Sequence, residues 1–327
     1  MARHADEEIF PMKTNSCGPI FVVGAPRSGT TLLQRMLRSH PQISSPTGES
    51  HFVVPLLTHA ATYGDLSARE NVIAVLHDMH RISAEFMETD LHGVRFDIEA
   101  LANAIHERGV HTMPQVIDTL FRLNAEGEGK ARWLDKTPYY IHHIPLLAAI
   151  FPDAQFVQII RDGRDAVLSM LERNVDIRVF SFYQGAKLWK RYVDAGRMMG
   201  AILPAERYLE FRFEDMLNEQ EETLRRVCTF LGVEFSEHVI DFQKSRDPMN
   251  KTPLLRGGIK RDNQEKWRDH MTLGQLRTFE SVAGSTLTAC GYPLTAPGGK
   301  PGLFSRAYWS LHDQLMQRMN PHPRNAH

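Results

Sequence analysis

The run "PIFVVG" (19–24) is apolar and β-branched without alternation, the pattern of a short strand buried on both faces. After a glycine-bearing turn, "TTLLQRMLRSH" (30–40) carries apolar residues at three- and four-residue intervals, predicting a helix closed by Pro41. The helical spacing recurs between residues 50 and 128, in "SARENVIAVLHDMHRISAEFM" and "MPQVIDTLFRLNA". "ARWLDK" (131–136) and "AQFVQIIR" (154–161) read as the next buried strands, each followed by a helix. "ERYLEFRFED" (206–215) reads as one more strand, leading to the helix "NEQEETLRRVCTFLG". Strands alternating with helices predict an α/β fold with a central parallel sheet flanked by helices. Beyond the Pro/Gly-rich "PLTAPGGKPG", the segment 303–319 is an amphipathic helix expected to pack back on the domain or onto a partner.

Composition narrows the function classes. With 38 basic and 39 acidic residues there is no global charge to draw nucleic acid or a membrane surface, so any anion site must be built locally. A 42% hydrophobic, 24% charged chain of 327 residues is ordinary for a globular protein. No apolar run is long enough to span a bilayer, and the polar N-terminus is unlike a signal peptide. Cys17, Cys228 and Cys290 fit no metal or redox spacing and read as reduced thiols. Together these features predict a cytoplasmic protein with no metal.

The turn between the first strand and helix holds the first candidate chemistry. "GAPRSGTT" (24–31) keeps the glycine separation of the nucleotide-binding pattern G-x-x-x-x-G-K-[ST] in Gly24 and Gly29, and Thr31 fills the last position. Thr30 stands where the lysine belongs, and Arg27 lies inside the loop. A glycine loop feeding a helix N-terminus favours a phosphate, and Arg27 adds a planar, permanently charged fork. Without the lysine the loop suits a triphosphate with Mg²⁺ poorly, but it can still hold a less highly charged ligand, such as a phosphosulfate, without a metal. The second candidate is "RDGRDAVLSMLER" (161–173), a strand end, a turn and a helix. Arg161 and Ser169 are placed to grip a second phosphate, with Arg173 on the same helical face as Ser169. Taken alone, Arg164, Asp165 and Arg173 read as surface ion-pair residues.

"GAPRSGTTLL" followed by "RDGRDAVLSM" resembles the sulfotransferases that use 3′-phosphoadenosine 5′-phosphosulfate (PAPS), over about residues 19–292. Arginine within the loop is closest to the branch of tyrosylprotein and many bacterial sulfotransferases. The resemblance implies a P-loop-like three-layer fold with a helical insertion after the first strand–helix unit. It implies that Arg27, Ser28, Gly29, Thr30 and Thr31 hold the 5′-phosphosulfate, and that Arg161, Ser169 and Arg173 hold the 3′-phosphate side. Lys136 of "LDKTPYY" is similar to a lysine beside the transferred sulfuryl group, and Lys266 of "EKW" to one touching the donor. Arg256, Gly257 and Lys260 match the lid loop only loosely.

Sulfuryl transfer also needs a base. Glu49 of "SSPTGESHF" resembles the family's catalytic glutamate, one residue out of its usual spacing; His51, His142 and His143 are the other candidates. The expected catalytic set is Glu49, Lys136 and Arg27. The expected divisions are an N-terminal extension (1–18), a sulfotransferase domain (19–295) with its acceptor-side helical insertion (50–128), and a linker with the C-terminal helix (296–327). Phe52, Tyr63, Phe86, Tyr139 and Tyr140 are candidates for the acceptor pocket, though their spacing equally suits core. The expected partner is a small-molecule, saccharide or peptide acceptor, with no nucleic acid and no integral membrane segment, and a homodimer left open. The competing readings are a P-loop kinase or NTPase, which would lack its lysine, and a non-catalytic nucleotide-binding relative.

Overall fold

A computed structural model describes residues 18–173, 177–244, 263–296 and 302–320. Strand β1 (Ile20–Gly24) leads through the glycine turn into α1 (Thr30–Arg38). A two-residue strand β2 (Ile43–Ser44) follows, and then four helices: α2 (Val53–Thr58), α3 (Arg69–Ile82), α4 (Ile98–Glu107) and α5 (Met113–Gly127). Next come β3 (Arg132–Lys136), α6 (Ile144–Ile150), β4 (Gln155–Ile160), α7 (Gly163–Glu172) and the long α8 (Phe182–Gly200). The chain continues with β5 (Tyr208–Arg212), α9 (Phe213–Asn218), α10 (Gln220–Leu231), α11 (Trp267–His270), α12 (Leu273–Ala289) and α13 (Leu303–Met319).

The five strands form one parallel sheet in the order β2-β3-β1-β4-β5. β1 is central and every one of its residues is buried, because both sheet faces are covered. Its side chains divide by the strand period of two. Phe21 and Val23 join the core beneath α3, α5, α8 and α12, whereas Ile20 and Val22 join Leu33, Met36, Leu37 and the α10 residues Leu224, Val227 and Leu231. Phe21 alone touches the rings of Trp133, Tyr140, Phe151 and Phe156. The topology reverses at β1: β3 lies on one side and β4 on the other, so a crevice opens beyond the carboxyl ends of these three strands.

Three expectations need correcting. The strand expected over 206–215 ends at Arg212, because Phe213 turns inward to start α9. Arg164 and Asp165 are 1% and 2% exposed, so they are frame residues rather than surface ion pairs. Helices α8 and α12, absent from the sequence reading, pack together and carry much of one core face. Helix α13 lies back on α8 through Tyr183–Trp309 stacking and a 2.9 Å bond from Ser181 Oγ to Asp313 Oδ1. Cys17, Arg256, Gly257 and Lys260, with most of the expected N-terminal extension and linker, lie outside the described residues. Among the described residues no helix is long and apolar enough to cross a membrane.

Candidate active site

The turn after β1 is tight. Ser28 N donates to Ala25 O at 3.2 Å, Arg27 adopts a left-handed φ of 66° and Gly29 one of 95°. At Gly29 this conformation is easy, and a Cβ there would run into the Phe213 ring. Helix α1 begins at Thr30 with no side-chain cap, leaving its first-turn amides for an anion. Ser28 is wholly buried, and its Oγ has no hydrogen-bond partner among the described residues.

β4 places the second cation against this loop. Arg161, 5% exposed, donates from Nη1 to Arg27 O at 3.2 Å and from Nη2 to Asn263 O at 2.9 Å. Its guanidinium lies 5.0 Å from the Phe213 ring centroid, and its buried Nε has no partner among the described residues. From α7, Ser169 Oγ accepts from Arg27 Nε at 2.9 Å, although 142 residues separate the two. The two sequence motifs therefore meet: the loop arginine, the strand-end arginine and the helix serine form one basic, hydroxyl-bearing cluster. Ser28 Oγ and Arg161 Nε, buried and without partners among the described residues, suit a ligand that carries oxyanions.

The turn beneath is rigid. Asp162 caps α7, accepting from Arg164 N at 2.9 Å, and pairs with Arg164 Nη2 at 2.7 Å. Arg164 Nη1 reaches Glu280 at 3.0 Å, and its guanidinium lies 3.7 Å from the Trp267 ring centroid. Asp165 Oδ1 accepts from Trp267 N at 2.9 Å.

On the other side of β1, β3 ends at Lys136, which pairs with Val22 in register and is 4% exposed. Its Nζ donates to Glu49 Oε1 at 2.7 Å, and His51 Nε2 lies 3.3 Å from Glu49 Oε2. Burial alone would raise the Glu49 pKa, but the Lys136 ammonium and His51 outweigh it and bring it down to about 2. Gln34 supports the loop carrying Glu49 through Ser45 Oγ (3.2 Å) and Pro46 O (2.5 Å), and Asp90 supports it through Thr47.

Arg27, Ser28, Gly29, Thr30, Thr31, Arg161 and Ser169 thus gather on one side of the crevice and Glu49 with Lys136 on the other. Arg173 stands exposed at the end of α7 and Lys266 exposed at the start of α11, and no described contact joins either to the cluster. Beside Lys266 it is Trp267 that is buried. His142 and His143 pack against Tyr192 and Tyr139; burial holds the His142 pKa down at about 4, so it is neutral near pH 7. Phe52, Phe86 and Tyr140 are core, whereas Tyr139 is 46% exposed. The sequence reading missed Phe213, the wall shared by Gly29 and Arg161. Its signal was an aromatic residue just past the end of a strand.

Comparison with known proteins identifies the family and the fold. The sequence profile of the sulfotransferase family matches residues 19–237. Protein-tyrosine sulfotransferase 1 of Danio rerio is 26% identical over 228 residues, covering 69% of this chain and 56% of that protein. An uncharacterised Aquifex aeolicus protein is 26% identical over 265 residues, covering 76% of this chain and 30% of its own length. This chain therefore spans only part of these relatives. Among solved structures, the sulfotransferase domain of the Synechococcus PCC 7002 olefin synthase superposes with a TM-score of 0.57 at 22% identity, covering 83% of this chain and 96% of that domain. The sulfotransferase domain of the curacin biosynthetic pathway gives 0.51 at 20% identity, covering 93% and 97%.

Proposed function

The chain belongs to the sulfotransferase family, and we propose that it transfers the sulfuryl group of PAPS to an acceptor hydroxyl by in-line displacement. The observation that carries this reading is the pairing of two half-sites across the β1 crevice: Arg27, Ser169 and Arg161 on one side, Glu49 and Lys136 on the other. The loop amides, Ser28, Thr30, Thr31 and Arg27 bind the 5′-phosphosulfate, and Arg161 with Ser169 binds the 3′-phosphate. Arg173 and Lys266 would reach the donor only by turning inward from their exposed positions. Phe213 forms a wall for the nucleoside beneath Arg161.

The acceptor oxygen attacks sulfur as its proton passes to a Glu49 carboxylate oxygen. The new O–S bond forms while the S–O bond to the 5′-phosphate breaks, and that electron pair leaves on the phosphate of adenosine 3′,5′-bisphosphate. Arg27 and the loop amides spread the charge on the sulfuryl oxygens, and Lys136 stabilises the leaving oxygen. Held at 2.7 Å by Lys136, Glu49 is a weak base. Drawing the ammonium toward the phosphosulfate raises its proton affinity when the acceptor must be deprotonated. The likeness to protein-tyrosine sulfotransferases makes peptide tyrosines the first acceptors to try, with small phenols and saccharides beside them. A cytoplasmic location is part of the proposal.

The test compares wild type with Glu49→Gln by release of adenosine 3′,5′-bisphosphate across that panel, with calorimetric binding of the same nucleotide. Glu49→Gln should lose at least about 10³-fold in kcat, with nucleotide affinity within about threefold of wild type. A variant with near-normal turnover would remove Glu49 as the base. Wild type that hydrolyses ATP and ignores PAPS would make it an NTPase; nucleotide binding without turnover would make it a non-catalytic relative.

A further inference from the structure

One buried carboxylate takes no part in the chemistry above. Asp135 precedes Lys136 on β3 and is 2% exposed. Its Oδ2 accepts from Ser50 Oγ at 2.6 Å and its Oδ1 from Thr137 Oγ1 at 3.1 Å. Ser50 follows Glu49 directly. Two adjacent residues of the loop thus face two adjacent residues of the strand: Glu49–Lys136 at 2.7 Å and Ser50–Asp135 at 2.6 Å.

The donors around Asp135 form a directed set. Val53 N donates to Tyr140 OH at 3.1 Å, and Tyr140 OH lies 2.8 Å from Ser50 Oγ, which donates to Asp135. Ser50 N donates to Thr137 Oγ1 at 3.1 Å, and Thr137 Oγ1 donates to the other carboxylate oxygen. Ser83 Oγ fixes Ser50 O at 2.6 Å. A carboxylate that only accepts makes every hydroxyl in this set point one way; a protonated or amide side chain reverses a link. Among the described residues no ion pair reaches Asp135, so burying its charge with two hydroxyl donors is costly, whereas a neutral residue would hold the loop at less cost.

We propose that Asp135 is a positioning residue: through Ser50 and Thr137 its carboxylate fixes the Glu49 loop, and thereby the Glu49 carboxylate, against Lys136. This rests on the reading of Glu49 as the base. Burial pushes Asp135 up to about 6, opposed by the Ser50 and Thr137 hydroxyls and by the charges of His51 and Lys136. Tyr140, the remaining titratable group facing it, is raised well above its usual value and stays a donor. Protonation below about pH 6 therefore turns one of the two accepting oxygens into a donor and reverses one link of the set.

The experiment measures kcat against pH at saturating PAPS and acceptor for wild type, Asp135→Asn, Ser50→Ala, the double variant and His51→Asn. It adds nucleotide binding by calorimetry and a crystal structure of Asp135→Asn. Asp135→Asn and Ser50→Ala should each lower kcat roughly 10- to 100-fold with nucleotide affinity within about threefold, as loss of alignment without loss of donor contacts predicts. The double variant should be no worse than the poorer single, because both cut one link. Wild type and His51→Asn should share an acid limb near pH 6 that Asp135→Asn lacks, and in the variant crystal Glu49 should have left Lys136. Unchanged kcat, parallel loss of nucleotide affinity, an acid limb that follows His51, or Glu49 still 2.7 Å from Lys136 would each overturn the inference. Wild type without turnover would defeat the functional reading instead, leaving the crystal distance to decide the positioning claim.

Discussion

Arg27 holds a conformation that non-glycine residues rarely adopt, with φ at 66°, and three contacts explain why it persists. Its Nε bonds Ser169, its carbonyl accepts from Arg161, and Ser28 closes the turn onto Ala25. One side chain thereby joins the proposed phosphosulfate loop to the proposed 3′-phosphate site before any ligand arrives. Arg27→Ala should weaken adenosine 3′,5′-bisphosphate binding about 10- to 100-fold, the worth of one hydrogen bond to a charged group (about 1.5–3 kcal/mol), measured by calorimetry. Unlike the bond to Ser169, the loop cation itself was legible at the residue scale, because the lysine position held Thr30 and the charge had moved to Arg27. The Ser50–Asp135 link was not, since hydroxyls and a carboxylate brought together across 85 residues leave no periodic trace.

The elements show the same division. β1, β3 and β4 were readable because strands buried on both faces are continuous apolar runs. β2 has two residues and no pattern to read. Helix α8 stayed hidden because glycines fill part of its buried face. Gly185 lies on Val167 and Gly196 on Gln158, where a Cβ would collide, so close approach replaces the apolar side chain a scan looks for. Helix α12 buries Glu280, which reads as a solvent position but completes the charge frame of Arg164 and accepts from Thr295 N (3.1 Å) and Ala296 N (2.8 Å). Glu280→Ala leaves Arg164 paired with Asp162 but strips a buried acceptor from Thr295 N and Ala296 N, so it should cost about 1–3 kcal/mol in chemical denaturation. Donor affinity should fall with it, because the Asp162 turn carries Arg161.

At the scale of the molecule, sheet order converts two distant motifs into one site. Placing β1 between β3 and β4 brings Lys136 and Arg161 to opposite sides of one glycine loop. The order itself was not legible, because strand adjacency depends on long-range pairing. Helix α13 stands outside this arrangement: it touches α8 while Phe304, Tyr308, Leu311, Leu315 and Met319 remain exposed. Truncation after residue 296 should leave nucleotide binding unchanged and move Tm by less than about 3 °C in a thermal scan.

The central claim is that this crevice moves a sulfuryl group from PAPS to a hydroxyl. Its most direct test is incubation of the purified chain with PAPS labelled at sulfur and a panel of peptide tyrosines, phenols and saccharides. The account predicts label on an acceptor, in one-to-one proportion with adenosine 3′,5′-bisphosphate, for wild type and not for Glu49→Gln. Label that stays in the donor, or appears only as inorganic sulfate at the same rate in both proteins, would contradict it.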